Sequence, residues 1–115
     1  MPIQTVLQRN ALATAYGAAA THGAVYTTAP GATAGTEPTG GTPAYARKAL
    51  SWSTAANSAT TATATFDIPS GVTAVGAGLH DALTAGNYRD GGSFGASQAF
   101  ASQGTLAVTY TYTQS

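Results

Sequence analysis

The sequence predicts an all-β domain: an antiparallel β-sandwich of jelly-roll or Ig-like type, preceded by one N-terminal helix. Three observations carry this. Runs rich in Thr, Val and aromatic residues recur about every ten to fifteen residues. Gly and Pro clusters punctuate them, and a helical spacing of apolar residues occurs only near the start. A parallel α/β fold would need helical patterns between the strands.

The chain divides into a helix or arm over residues 1–22 and a single sandwich domain over 23–115. In "MPIQTVLQRNALATAYGAAA", Pro2 suits a first helical turn, where its missing N–H costs nothing. Ile3, Val6, Leu7 and Ala11 form an apolar stripe, and Gly17 or Gly23 ends the helix. Val25 and Tyr26 begin a short strand that Pro30-Gly31 stops. Residues 32–42 read as an exposed loop. After Pro43 a strand is expected, with Tyr45, Arg47, Ala49 and Ser51 on one face and Ala46, Lys48, Leu50 and Trp52 on the other. Lys48 can lay its stem over apolar surface and keep its ammonium wet, which also protects a sheet edge.

Next, Thr61, Thr63 and Thr65 alternate with Ala62, Ala64 and Phe66, and Pro69-Ser70-Gly71 ends that strand. A further strand has Val72, Val75, Leu79 and Leu83 as anchors, with Gly76 and Gly78 marking a bulge or a close backbone approach. Residues 84–95, "TAGNYRDGGSFG", read as a loop, and "ASQAFASQG" is short and ambiguous, with Phe100 the core candidate. The last strand alternates, with Leu106, Val108, Tyr110 and Tyr112 facing one way and Thr105, Ala107, Thr109, Thr111 and Thr113 the other.

Composition narrows the function classes. The 115 residues carry no net charge and only 7% charged residues, against a usual quarter. Ala and Thr make up about two-fifths of the chain. A surface this neutral suits a subunit covered by neighbours better than a free monomer. With no Cys there is no disulfide, thiol or Cys-ligated metal chemistry. The acids and the two His are scattered without metal-ligand spacing, so neither metal nor cofactor is expected. Zero net charge gives no drive toward nucleic acid, and neither a signal peptide nor a membrane span is expected.

No catalytic residue is proposed. His80-Asp81 is the one adjacent His–carboxylate pair, but neighbours on a strand point to opposite faces and no Gly-x-Ser-x-Gly accompanies it. "GAGLHD" places Asp81 where a dinucleotide fingerprint needs its third glycine. Lys48 does not follow a phosphate-cradling glycine loop. Tyr and Trp side chains can form a carbohydrate or peptide platform, or serve as core and subunit packing; Tyr110 and Tyr112 fit packing.

The stretches "VYTTAPGATAGTEPTGGTPAYARKALSW", "ATFDIPSGVTAVGAGLHDALTAGNY" and "GSFGASQAFASQGTLAVTYT" resemble a family of small virion proteins of tailed phages, especially those of actinobacteria. Tyr45-Ala46-Arg47 with Trp52 is the most specific part of the likeness, which runs from about Val25 onward. It implies a non-enzymatic, structural role at the virion: a capsid decoration (minor capsid) protein, or a part of the tail or its fibres. The chain contains no stalk, heptads or Gly-x-y repeats of a fibre, which favours decoration. The implied partners are the major capsid protein and copies of the chain itself in a homotrimer, at the capsid surface. Tyr45, Arg47, Lys48, Trp52, Tyr110 and Tyr112 are the implied interface residues, with Arg47 and Lys48 meeting acidic groups on the capsid protein or a sister subunit.

Overall fold

The computed structural model describes residues 4–114. Helix α1 spans Val6–Ala19 and is capped by Thr5, whose hydroxyl accepts the Gln8 N–H at 3.3 Å. Pro2 and Ile3 lie outside the described residues. The expected apolar stripe is not the buried one. Leu7 is 84% exposed and Val6 48%, whereas Ala13 and Gly17 are buried. Small residues win this face because the helix lies close against Trp52, which approaches the backbone at Gly17. Gly17 therefore sits inside the helix, which ends at Ala19. Its first turn is exposed at Val6, Leu7 and Gln8.

Six strands follow: β1 His22–Tyr26, β2 Lys48–Ala49, β3 Ala59–Ile68, β4 Val72–His80, β5 Tyr88–Phe100 and β6 Gly104–Thr113. They form an antiparallel four-stranded sheet ordered β2-β1-β4-β5 and a two-stranded sheet of β3 and β6. The fold is thus an all-β sandwich with one N-terminal helix. Its second layer holds fewer strands than a jelly roll or an immunoglobulin domain would.

The two sheets are halves of one long hairpin. Pairing runs from Ala59↔Thr113 to Ile68↔Gly104 and resumes at Val72↔Phe100 without a slip. Between them both arms turn a corner together, at Pro69-Ser70-Gly71 and at Ala101-Ser102-Gln103. Gly71, with φ of 78°, donates its N–H to the Phe100 carbonyl at 2.6 Å across that corner. The bend lays the β3–β6 ribbon over the larger sheet. Val25, Phe66, Ile68, Ala74, Leu79 and Val108 meet between the layers, with Tyr110 reaching across to the Ala24 carbonyl. Full burial of an aliphatic or aromatic side chain is worth about 1.5–3 kcal/mol. At its far end the ribbon rests on α1 instead: Tyr16 stacks on Tyr112 at 4.0 Å, and Asn10 accepts the Ser58 N–H at 2.7 Å.

Where side chains alternate cleanly, sequence and structure coincide. Thr60, Ala62, Ala64, Phe66 and Ile68 are buried in β3, with Thr61, Thr63 and Thr65 outside. The bulge expected near Gly76 and Gly78 occurs as a register shift between Ala74 and Gly76. Three expectations are corrected. The strand after Pro43 shrinks to Lys48–Ala49, because the Tyr45 amide is turned back onto the Gly40 carbonyl; past the strand only one further ladder bond follows, from the Leu50 amide to the Thr21 carbonyl. Leu83 is no anchor; β4 ends at His80, and Leu83 is 54% exposed in the following turn. Residues 88–100, read as loop and ambiguous segment, form the longest strand, β5, ladder-bonded to β4, with Phe94 and the expected Phe100 packed half-buried against the core.

Candidate functional site

Two polar clusters fasten loops onto the larger sheet. In the first, the Glu37 carboxylate accepts from Tyr45 Oη at 2.8 Å, from Arg47 Nε at 3.1 and 3.2 Å, and from Arg47 Nη2 at 2.9 Å. Arg47 Nη1 donates to the Ala82 and Ala85 carbonyls at 3.1 and 2.9 Å. Burial pushes the Glu37 carboxyl up, but the Arg47 and Tyr45 hydrogen bonds outweigh it and leave the group below its ordinary value. Arg47 therefore has both edges of its guanidinium engaged within the chain, and Lys48 has Asp67 at 3.5 Å. Both cations expected to face a partner chain have acids of their own.

In the second cluster, Tyr26 Oη lies 2.6 Å from His80 Nε2, both residues being buried, and Tyr88 edges onto both rings. Burial and the nearby Arg47 charge lower the His80 pKa, so this imidazole is held neutral. Asp81 points elsewhere. It accepts from the Asn87 backbone and side chain at 2.7 and 2.9 Å and from Arg89 at 3.1 Å, and is pulled down to about 2 chiefly by Asn87. His80 and Asp81 are not hydrogen-bonded as a dyad; each belongs to a loop-fastening contact.

Two adjoining recesses lie beside β5 and β6, among several shallow ones of 300–430 Å³. A groove of about 300 Å³ runs between β5 and β6, over the inner face of the larger sheet, and is lined by Tyr16, Trp52, Asp90, Gly92, Phe94 and Tyr110. It adjoins a second recess of about 390 Å³ bounded by Phe94, Gln98, Leu106 and Val108. Opposite Val75, β5 bulges by several residues, since Ala74 pairs with Gln98 and Gly76 with Ser93. That bulge carries Phe94 to the boundary between the two recesses. A β-carbon added at Gly92 would meet nothing within 4 Å, so the groove floor is open there. Asp90 stands at its helix-side wall, accepting from Tyr16 Oη at 2.8 Å and from the Gly91 N–H at 2.8 Å.

Of the residues singled out in the sequence, Trp52 and Tyr110 line this groove, with Trp52 Nε1 donating to the Ala20 carbonyl at 2.7 Å. Tyr112 borders it through its stack on Tyr16 and bonds Gln114. Tyr45, Arg47 and Lys48 belong to the loop side. Asp90 and Phe94 escaped sequence reasoning because their segment lacks a period-two apolar pattern. Phe94 among glycines was the one available signal.

Among the described residues, no group of three or more His, Cys, Asp or Glu side chains could hold a metal ion, and no helix is long and apolar enough to cross a membrane. No family model, curated protein or solved structure matches this chain.

Proposed function

We propose that this chain is a structural subunit of a tailed-phage virion: a capsid decoration protein seated on the outside of the shell, touching the major capsid protein and copies of itself in a homotrimer. The observation that supports it best is the state of its sheet edges. β5 and β6 end their sheets, 13 and 10 residues long. From Gly91 to Phe100 and throughout β6 there is no charge and no proline. Free domains usually blunt such edges with lysine, proline or short strands, because unpaired main-chain groups recruit other chains. A subunit whose edges are covered by neighbours has no such need.

Avidity supplies the energetic logic. A block this small offers a modest interface, but joined copies that engage several capsid subunits gain effective concentration at each further contact. The sequence likeness to small phage virion proteins points the same way. The test is copy number on purified particles, measured against the major capsid protein. Decoration gives hundreds of copies per particle; a tail-associated or receptor-binding module gives a few. Particles without the chain along their shell overturn the reading.

A further inference from the structure

We infer that the groove between β5 and β6 receives the first turn of α1 from a second copy of this chain, with Arg9 of the incoming turn paired to Asp90. The inference rests on the subunit reading only in assuming that copies associate.

Charge accounting leads to it. The chain has four bases and four acids. Among the described residues, three pairs form within the chain: Arg47–Glu37, Lys48–Asp67 and Arg89–Asp81. One acid and one base are left over. The acid is Asp90, in the groove wall. The base is Arg9, on the first turn of α1, which reaches only the Thr5 and Gln4 carbonyls at 3.4 and 3.5 Å. The two leftover charges are opposite in sign and sit on surfaces that also match in polarity.

Beside Arg9 the helix presents Leu7 at 84% exposure and Val6 at 48%, an apolar tip left open among the described residues. The groove offers the converse: Trp52, Phe94, Leu106 and Val108 in its walls, an open glycine floor, and no bulky side chain filling it. Short aliphatic side chains enter such a slot while an arginine beside them reaches the carboxylate at its edge. The contact is heterologous, tip to groove, so each copy has one donor and one acceptor surface. Such contacts either close into a ring or run on as a filament. A ring of three leaves no tip and no groove unmatched.

The test uses purified full-length chain without particles, so its result is independent of where on a virion the protein sits. Sedimentation and native mass spectrometry follow self-association of the wild type, Leu7→Ser, Arg9→Glu, Asp90→Lys and the double variant R9E/D90K, with circular dichroism checking the fold. Leu7 is exposed and Arg9 half-buried, and neither belongs to the core, so their replacement leaves it intact. Each charge reversal sets like charges together and is expected to raise the dissociation constant about tenfold or more; the double variant restores it to within about threefold. Leu7→Ser weakens association as well. The inference is overturned by a wild type that stays monomeric at high concentration, by oligomers indifferent to both reversals, or by a double variant no better than its parents. Wild-type oligomers that keep their mass in Asp90→Lys assign the groove to a different occupant and sink the pairing.

Discussion

His80 shows how one side chain couples folding to pH. Its imidazole is buried against the Tyr26 hydroxyl and faces the Arg47 charge across the Glu37 cluster, so the folded protein resists protonating it. An unfolded chain protonates a histidine near about pH 6.5. The unfolded state therefore binds the extra proton first, and stability is full above that value and declines as pH falls through it toward the lower folded value. Glu37, held below its ordinary value, adds a loss of the same sign at more acidic pH, once its carboxylate begins to protonate. Denaturant midpoints measured across pH 7.5 to 5 should fall steadily in the wild type. In His80→Gln the decline between about pH 6.5 and 5.5 should flatten. A wild-type curve level over that interval, or a variant with the same slope, would contradict this account. Tyr45 and Arg47 matter at the same scale for a different reason. The likeness to phage virion proteins singled them out with Trp52, and in the structure they engage Glu37, Val25 and two carbonyls of the 81–87 turn.

At the scale of the element, the glycines of β4 and β5 divide into two kinds, and substitution separates them. A β-carbon at Gly78 lands on the Tyr26 ring and hydroxyl, inside the cluster that seats the 27–40 loop. At Gly92 it meets open groove. Gly78→Ala is expected to cost about 1–3 kcal/mol of unfolding free energy, as overpacking does. Gly92→Ala should fall within about 0.5 kcal/mol of the wild type, like a surface change. Equal losses at both positions would mean that the close approach of Tyr26 is not what fixes Gly78. The contrast also explains what could be read in advance. β3 and β6 were legible because one face of each meets a core and the other meets water, so Thr61, Thr63 and Thr65 alternate with Ala62, Ala64 and Phe66. β5 was not, because its inner face is uncovered at Gly92 and its identity lies in main-chain bonds to β4. The helix stripe misled for a related reason: Leu7 is apolar without being core, while Ala13 and Gly17 are core because nothing larger fits against Trp52. The groove inherits the first of these blind spots, being built from Asp90, Gly92 and Phe94 of β5.

The whole molecule is elongated, 47 × 23 × 21 Å, with a radius of gyration of 14.9 Å against about 13 Å for a compact chain of this length. Much surface is therefore laid out along β5 and β6, and little of it is charged. Near the sequence isoelectric point of 6.7 no long-range repulsion keeps copies apart, so short-range contacts along the two edges decide association. If the edges are what adheres, placing one charge on each should be felt out of proportion to the change in net charge. Ser97 and Thr105 are exposed, on β5 and β6 respectively. Ser97→Lys with Thr105→Lys should raise solubility at neutral pH several-fold while leaving the melting temperature within a few degrees, since neither side chain is buried. The control adds the same two charges on the exposed face of α1, at Thr14 and Ala18, away from both edges. If the control gains as much solubility, net charge governs and the edges are ordinary surface. If only the edge variant gains, the main-chain groups of β5 and β6 are the adhesive part of the molecule, and a neighbour that covers them completes the sandwich.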